Sequence, residues 1–209
     1  MGFGADASLA MTHPMTVLGV VASPSASSRT RTLVEVVLKA AGQLPAVTTE
    51  LMTFAGRTFR AADGTRAEDY DGDTGEVVSA IDQAQAIVFG MPVYRGSYPG
   101  TLKNLLDIVP RGQYDGHAQA LRAKPVAIAA TGGSDHHFLG MNDLAAVLGG
   151  FFAAYVIPPG LYASHTQFAD GELTSERVRR GAVQTGHALV AMGRALEAFP
   201  ALRRVEPLV

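Results

Sequence analysis

The chain reads as an α/β protein: one parallel sheet of five strands with helices on both faces. Three observations predict it. Short apolar runs at 16–22, 47–54, 85–90, 125–130 and 151–157 read as strands, and the first is continuous in the manner of a parallel strand covered on both faces. Helical patterns follow these runs in alternation, which is the signature of parallel crossover units. Third, 209 residues without internal repeat, low-complexity tract or linker suit one such domain, expected over 15–209.

The elements follow in order. Residues 16–22 (TVLGVVA) form the first strand, and 29–41 the first helix, with Leu33, Val36, Val37 and Ala40 at helical spacing. After the second strand, 55–73 is rich in Gly, Asp, Arg and Thr and has little periodicity. It reads as a long excursion, of the kind that is often functional or interfacial. A helix is expected over 74–84 from Val77, Val78, Ile81 and Ala84. Another is expected over 99–109 from Leu102, Leu105, Leu106 and Val109, with Pro99 suited to its first turn. Within it Lys103 and Asp107 stand at i, i+4, a surface pair worth a few tenths of a kcal/mol. The next helix, 138–148, should end at Gly149-Gly150. Residues 161–173 carry an Asp170-Gly171 turn signal. Val178, Ala182, Thr185, Leu189, Met192 and Leu196 line one side of a long last helix.

Composition excludes several classes. A formal charge of -2 gives no nucleic-acid footprint. No apolar run approaches the ~18 residues of a membrane span. The chain has no cysteine, hence no disulfide, thiolate nucleophile or Cys-based metal site. Residues 1–14 lack a secretory pattern and read as a flexible N-terminal extension, so a cytoplasmic location is the default.

Ligands of an open parallel sheet sit outside the carboxyl ends of its strands. Three such ends here are unusual. After the first strand comes Ser23-Pro24-Ser25-Ala26-Ser27-Ser28-Arg29-Thr30, a hydroxyl-rich turn opening a helix, where free amides and the helix dipole suit a phosphate. The third strand is followed by Pro92-Val93-Tyr94-Arg95-Gly96-Ser97-Tyr98-Pro99-Gly100, and the fourth by Thr131-Gly132-Gly133-Ser134-Asp135-His136-His137. Together these fit a phosphorylated planar ring, with Pro92-Val93-Tyr94 as a stiff wall and the amides of Gly132 and Gly133 near its polar edge.

The three segments, with Gly96-Ser97-Tyr98-Pro99-Gly100-Thr101-Leu102-Lys103 continuing the second, resemble the NAD(P)H-dependent FMN reductases of the flavodoxin-like fold. The likeness extends to the reductase components of two-component sulfonate monooxygenases and spans about residues 16–157. It implies a flavodoxin-like three-layer sandwich, and FMN with its phosphate on Ser23, Ser28, Arg29 and Thr30. Pro92, Val93, Tyr94 and Arg95 would line the flavin; Thr131, Gly132 and Gly133 would meet its pyrimidine edge. NADPH or NADH would be the hydride donor, a flavin-dependent monooxygenase the partner, and a homodimer or homotetramer the assembly. Ser25 stands where such relatives often carry Arg, and the helix after Gly133 lacks a one-residue insertion seen in some sulfonate-linked members.

No side-chain acid or base is required for hydride transfer, because the flavin carries the chemistry. Alternatives are a flavodoxin-type electron carrier and an FMN-containing quinone or azo reductase. The near-neutral charge speaks against a carrier, which docks through a strongly acidic surface. Arg95 and Arg111 are candidates to attract nucleotide phosphates. His136 and His137 are adjacent and so share no helix face, and no carboxylate–His pair at i, i+4 supports them. No metal site is expected. There is neither a G-x-G-x-x-G after a strand nor a G-x-S-x-G elbow.

Overall fold

The structure, a computed structural model, describes residues 13–112 and 119–206. All but His13 and Pro14 of the expected N-terminal extension lies outside the described residues. The apolar runs become β1 (Met15–Val21), β2 (Val47–Thr53), β3 (Ala86–Pro92) and β4 (Pro125–Gly132). The main helices are α1 (Arg29–Ala41), α2 (Gly72–Gln83), α3 (Gly100–Ile108), α4 (Met141–Ala146) and α5 (Glu176–Ala198).

The strands run parallel in the order β2-β1-β3-β4, followed by an edge position. That edge differs from the expected strand over 151–157. Phe151 closes a wide π-type turn at 147–151 that extends α4 past Gly149-Gly150. Glycine's freedom did not end the helix there, because the turn leads on through Phe152 and Ala154, whose amides bond back to Val147 and Leu148. The edge itself comes in two pieces, β5 (Tyr155–Val156) beside Pro125–Val126 and β6 (Leu161–Ser164) beside Ala129–Gly132. Pro158 and Pro159 separate them, since proline offers no N–H to the ladder.

Strand side chains alternate between two cores. Val17, Val21, Val88, Ala127 and Ala129 pack under α1 and α5. Leu18, Val20, Ile87, Phe89, Met91 and Ile128 pack under α2, α3 and α4. The result is three layers. Two glycines let α1 lie unusually close to the sheet. A Cβ on Gly19 would come within 2.7 Å of Val34 Cγ1, and one on Gly90 would run into Val34 Cγ2 and lie 3.2 Å from Thr30 Cγ2. The start of α1 is therefore pressed onto the carboxyl ends of β1 and β3.

The two irregular stretches are both ordered by the rest of the chain. The excursion after β2 is tied by Arg57 to Asp73 and Glu76, at 2.9 and 2.8 Å. Arg60 lies over the Tyr70 ring, 4.7 Å from its centroid. Asn104 of α3 accepts from Ala62 N–H at 2.9 Å and donates to the Arg60 carbonyl at 2.7 Å. The Asp170-Gly171 signal is a true hairpin turn, with φ of 50° and 84° between β7 (Phe168–Ala169) and β8 (Glu172–Leu173). The hairpin leans on α1, where the Thr32 hydroxyl donates to the Gly171 carbonyl at 3.0 Å.

Candidate functional site

The strand order reverses between β1 and β3, the switch point at which a parallel sheet of this order opens a crevice. The three unusual loops surround that point. Ser28 caps α1, its Oγ accepting from Arg31 N–H at 3.3 Å. Ser23 is buried, and its Oγ accepts from Ser25 N–H at 3.4 Å. Each hydroxyl thus uses a lone pair internally and keeps its O–H to donate outward. The amides of Ser28, Arg29 and Thr30 find no acceptor among the described residues. The Arg29 side chain is exposed and has no ion-pair partner among them. No carboxylate lies between Ala22 and Val34. A cluster made only of donors, beside one free cation at a thirteen-residue helix's start, suits a dianionic phosphate.

Thr131 joins the three loops. Its hydroxyl lies 2.6 Å from that of Thr30, both buried, and its carbonyl accepts from Val93 N–H at 2.7 Å. Whichever threonine accepts in the hydroxyl pair retains one proton for a further acceptor. From the buried Val93 the chain turns out through Pro92-Val93-Tyr94 into a two-residue hairpin. Tyr94 and Ser97 exchange backbone bonds at 3.0 and 3.1 Å, and Arg95 and Gly96 take φ of 53° and 84° at its tip. Tyr94 is left 50% exposed, and Arg95 projects from the tip without an ion-pair partner among the described residues. The hairpin is held from behind by Ser97 Oγ donating to Asp143 of α4 at 2.6 Å. Gly140 fits against it because a Cβ there would lie 2.8 Å from the Gly96 carbonyl oxygen.

Gly132 and Gly133 differ. A Cβ on Gly132 would run into the Tyr162 hydroxyl, whereas one on Gly133 would meet nothing within 4 Å. Gly133 therefore faces open space, and the amides of Gly133 and Ser134 find no acceptor among the described residues. These unengaged donors, the donor-rich turn before α1 and the exposed Tyr94 have the chemistry that a flat, polar-edged ring carrying a phosphate requires. The donor set thus fits FMN.

Other residues fall elsewhere. Arg111 lies beyond the end of α3, over the Phe151 ring at 5.1 Å, close to where β4 begins. That is the opposite end of the strands from the three loops. A cavity of about 710 Å³, lined by Leu106, Val109, Arg111 and Phe151 among others, opens there and not at the switch point. The Lys103–Asp107 pair forms as spaced, on the exposed surface of α3. His136 and His137 are exposed on the short 3₁₀ segment Asp135–Gly140. Sequence reasoning missed Tyr162 and Ser164, at the end of β6. The register Gly132↔Ser164 brings that end to the same rim. The available signal was the strand-like Leu161-Tyr162-Ala163-Ser164 just after a Pro-Pro-Gly break.

A parallel sheet ordered 2-1-3-4, with a hydroxyl-rich turn and two glycine-containing loops at its switch point, defines a flavodoxin-like α/β protein. More particularly, this chain belongs to the NADPH-dependent FMN reductase family, whose sequence profile matches residues 15–169. It is 32% identical over 170 residues to an NADH-dependent FMN reductase, SfnF, of Pseudomonas fluorescens, covering 81% of this chain and 87% of that one. To an NAD(P)H-dependent FAD/FMN reductase of Geobacillus thermodenitrificans it is 31% identical over 180 residues, 85% and 93% of the two chains. Its fold is shared by the apo form of the NADH:FMN oxidoreductase EmoB. The TM-score is 0.70 at 23% identity, over 90% of this chain and 94% of the other.

Proposed function

We propose that this protein transfers hydride from NADH or NADPH to FMN and passes reduced FMN to a separate monooxygenase. The observation that carries the reading is Thr131, whose hydroxyl and carbonyl tie the phosphate-type turn, the Tyr94 hairpin and the Gly132-Gly133 loop into one rim. FMN, when bound, supplies the two-electron acceptor for the nicotinamide's hydride. The chain's own residues bind and orient. Ser23, Ser28 and Arg29, with the free amides at the start of α1, hold the phosphate, and Thr30 braces that turn from inside. Pro92, Val93 and Tyr94 wall one side of the ring, with Arg95 at the mouth where the nucleotide's phosphates arrive. Thr131, Gly132 and Gly133 meet the pyrimidine edge. Their preset donors favour negative charge there without reorganising. No side chain need hold or move a proton, so alignment of two rings is the protein's main contribution.

The monooxygenase partner is proposed from the resemblance of the three site segments, 92–103 the most specific of them, to reductase components of such systems. The assembly is proposed as a homodimer or homotetramer. Tyr94, Phe138 and Leu139 are exposed by 50%, 49% and 58%, and the Gly140–Gly96 contact brings the last two beside the hairpin. A cytoplasmic location is proposed as well; among the described residues no helix is long and apolar enough to cross a membrane.

The test follows nicotinamide absorbance while free FMN is varied. Saturable turnover that depends on added FMN supports the proposal. Turnover confined to tightly bound flavin and a quinone would replace it with the quinone-reductase reading, and no turnover with either nucleotide would leave an electron carrier. Arg29→Ala should raise the KM for FMN about tenfold, the worth of one charge-assisted contact. The effect should shrink with added salt. The KM for riboflavin, which has no phosphate, should stay put.

A further inference from the structure

We infer that Tyr162 is a positioning residue for the pyrimidine end of the flavin: from β6 it fixes the 132–135 backbone so that the loop's amides face the ligand. The inference rests on the reading that this loop meets FMN.

Tyr162 stands opposite Ala130 in the β4–β6 register, and its ring packs on the core beneath α4. Its hydroxyl reaches past the end of β4 and donates to the Ser134 carbonyl. On the way it fills the space beside Gly132 that a Cβ would need, with the phenol Cζ at 3.2 Å and His137 Cβ at 3.1 Å from that position. The loop therefore has a packed back and, at Gly133, an open front. The Ser134 carbonyl accepts a second bond, from His137 N–H at 3.4 Å, so that peptide cannot turn over without losing both.

In a trans peptide the C=O and the following N–H point in opposite directions. Holding the Ser134 carbonyl toward Tyr162 therefore aims the Asp135 N–H away from it. A carbonyl engaged by a donor also polarises its own peptide, which strengthens that N–H as a donor. Burial, and secondarily the charge of Asp135, raise the Tyr162 pKa above its ordinary value, so the phenol remains a donor throughout the physiological range. None of this was visible in the local sequence, because β6 is a separate segment that reaches β4 only after the Pro158-Pro159 break.

Tyr162→Phe keeps the ring and deletes the one hydroxyl, so the fold is retained while the restraint on Ser134 goes. FMN affinity is read from quenching of flavin fluorescence, and the midpoint potential of bound FMN from a dye-linked titration. The dissociation constant for FMN should rise about threefold to tenfold, the equivalent of one neutral hydrogen bond. The potential should move to more negative values, because a slack loop serves the more negative, reduced flavin less well. Arg29→Ala is the contrast: it weakens FMN binding from the phosphate side and leaves the potential in place. If wild type binds FMN and Tyr162→Phe matches it in affinity and potential, the positioning role is wrong while the site stands. A variant that only melts earlier, with an unshifted potential, overturns the role equally. If wild type itself does not bind FMN, the site reading fails and this inference with it.

Discussion

Gly90→Ala tests the idea that α1 must lie against the sheet for the site to assemble. Gly90 has an ordinary extended conformation, so the cost of a side chain there is purely steric. The new methyl would overlap Val34 Cγ2, sit 3.2 Å from Thr30 Cγ2 and lie 3.6 Å from the Val20 carbonyl oxygen. Val34 and Val20 are fully buried, so neither neighbour can swing into solvent, and the first half of α1 has to lift. Overpacking of this kind costs about 1–3 kcal/mol. Lifting α1 also stretches the 2.6 Å Thr30–Thr131 hydroxyl contact, worth about 0.5–1.5 kcal/mol. Against these, alanine restricts the unfolded chain and returns about 0.4–1 kcal/mol. The net is a loss of about 2 kcal/mol, which in a chain of this size lowers the melting temperature by roughly 4–8 °C.

Urea and thermal unfolding followed by circular dichroism, with an FMN titration beside them, measure both consequences. FMN affinity should fall as well, because the phosphate turn moves with α1. Adding Val34→Ala to Gly90→Ala should recover part of the stability, since it removes the methyl in conflict. The pair would then be non-additive by about 1 kcal/mol or more. Unchanged stability and unchanged FMN affinity in Gly90→Ala, or strict additivity in the pair, would refute the close-approach argument.

Two further expectations concern parts of the fold remote from the site. Asn104→Leu removes both bonds that hold 60–62 to α3; tryptic cleavage at Arg57, Arg60 or Arg66 should accelerate, stability should drop by about 1–3 kcal/mol, and FMN affinity should not change. Equal digestion rates for variant and wild type would show that the excursion is held without these two bonds. Lys124 donates to the Ile81 and Asp82 carbonyls at the end of α2, and burial pulls its pKa down to about 8, with Asp82 opposing. A base whose folded pKa is lowered is protonated more readily in the unfolded chain. Wild-type stability should therefore rise, relative to Lys124→Met, between about pH 8 and its ordinary value of 10.5. Parallel pH profiles for the two proteins would contradict this.

Local patterns were read well because they are written in neighbouring residues. The unbroken run from Val17 to Val21 produces β1 whatever lies beyond it, and the 3.6-residue spacing from Val178 to Leu196 produces α5. Asp170-Gly171 turns a hairpin because both positions must adopt positive φ. The segment 147–157 was misread for a matching reason. Its run of Phe, Ala, Tyr, Val and Ile suits a buried strand, yet Phe151 and Phe152 are taken up by the wide turn that ends α4. Apolar content alone does not separate a buried strand from the last turn of a buried helix.

What the sequence determined by itself is most of the list of parts: the first four strands, which faces of the helices are apolar, and which three turns carry donors, glycines and a tyrosine. Only the tertiary structure decided which parts meet. It made Thr131 the node between Thr30 and Val93, put Tyr162 behind Gly132, and left Arg111 at the other end of the strands. The physical reason is that periodicity and turn preference act over a few residues. Strand order and register, by contrast, are chosen by the burial of the whole sheet between two helical layers, and they join residues a hundred positions apart.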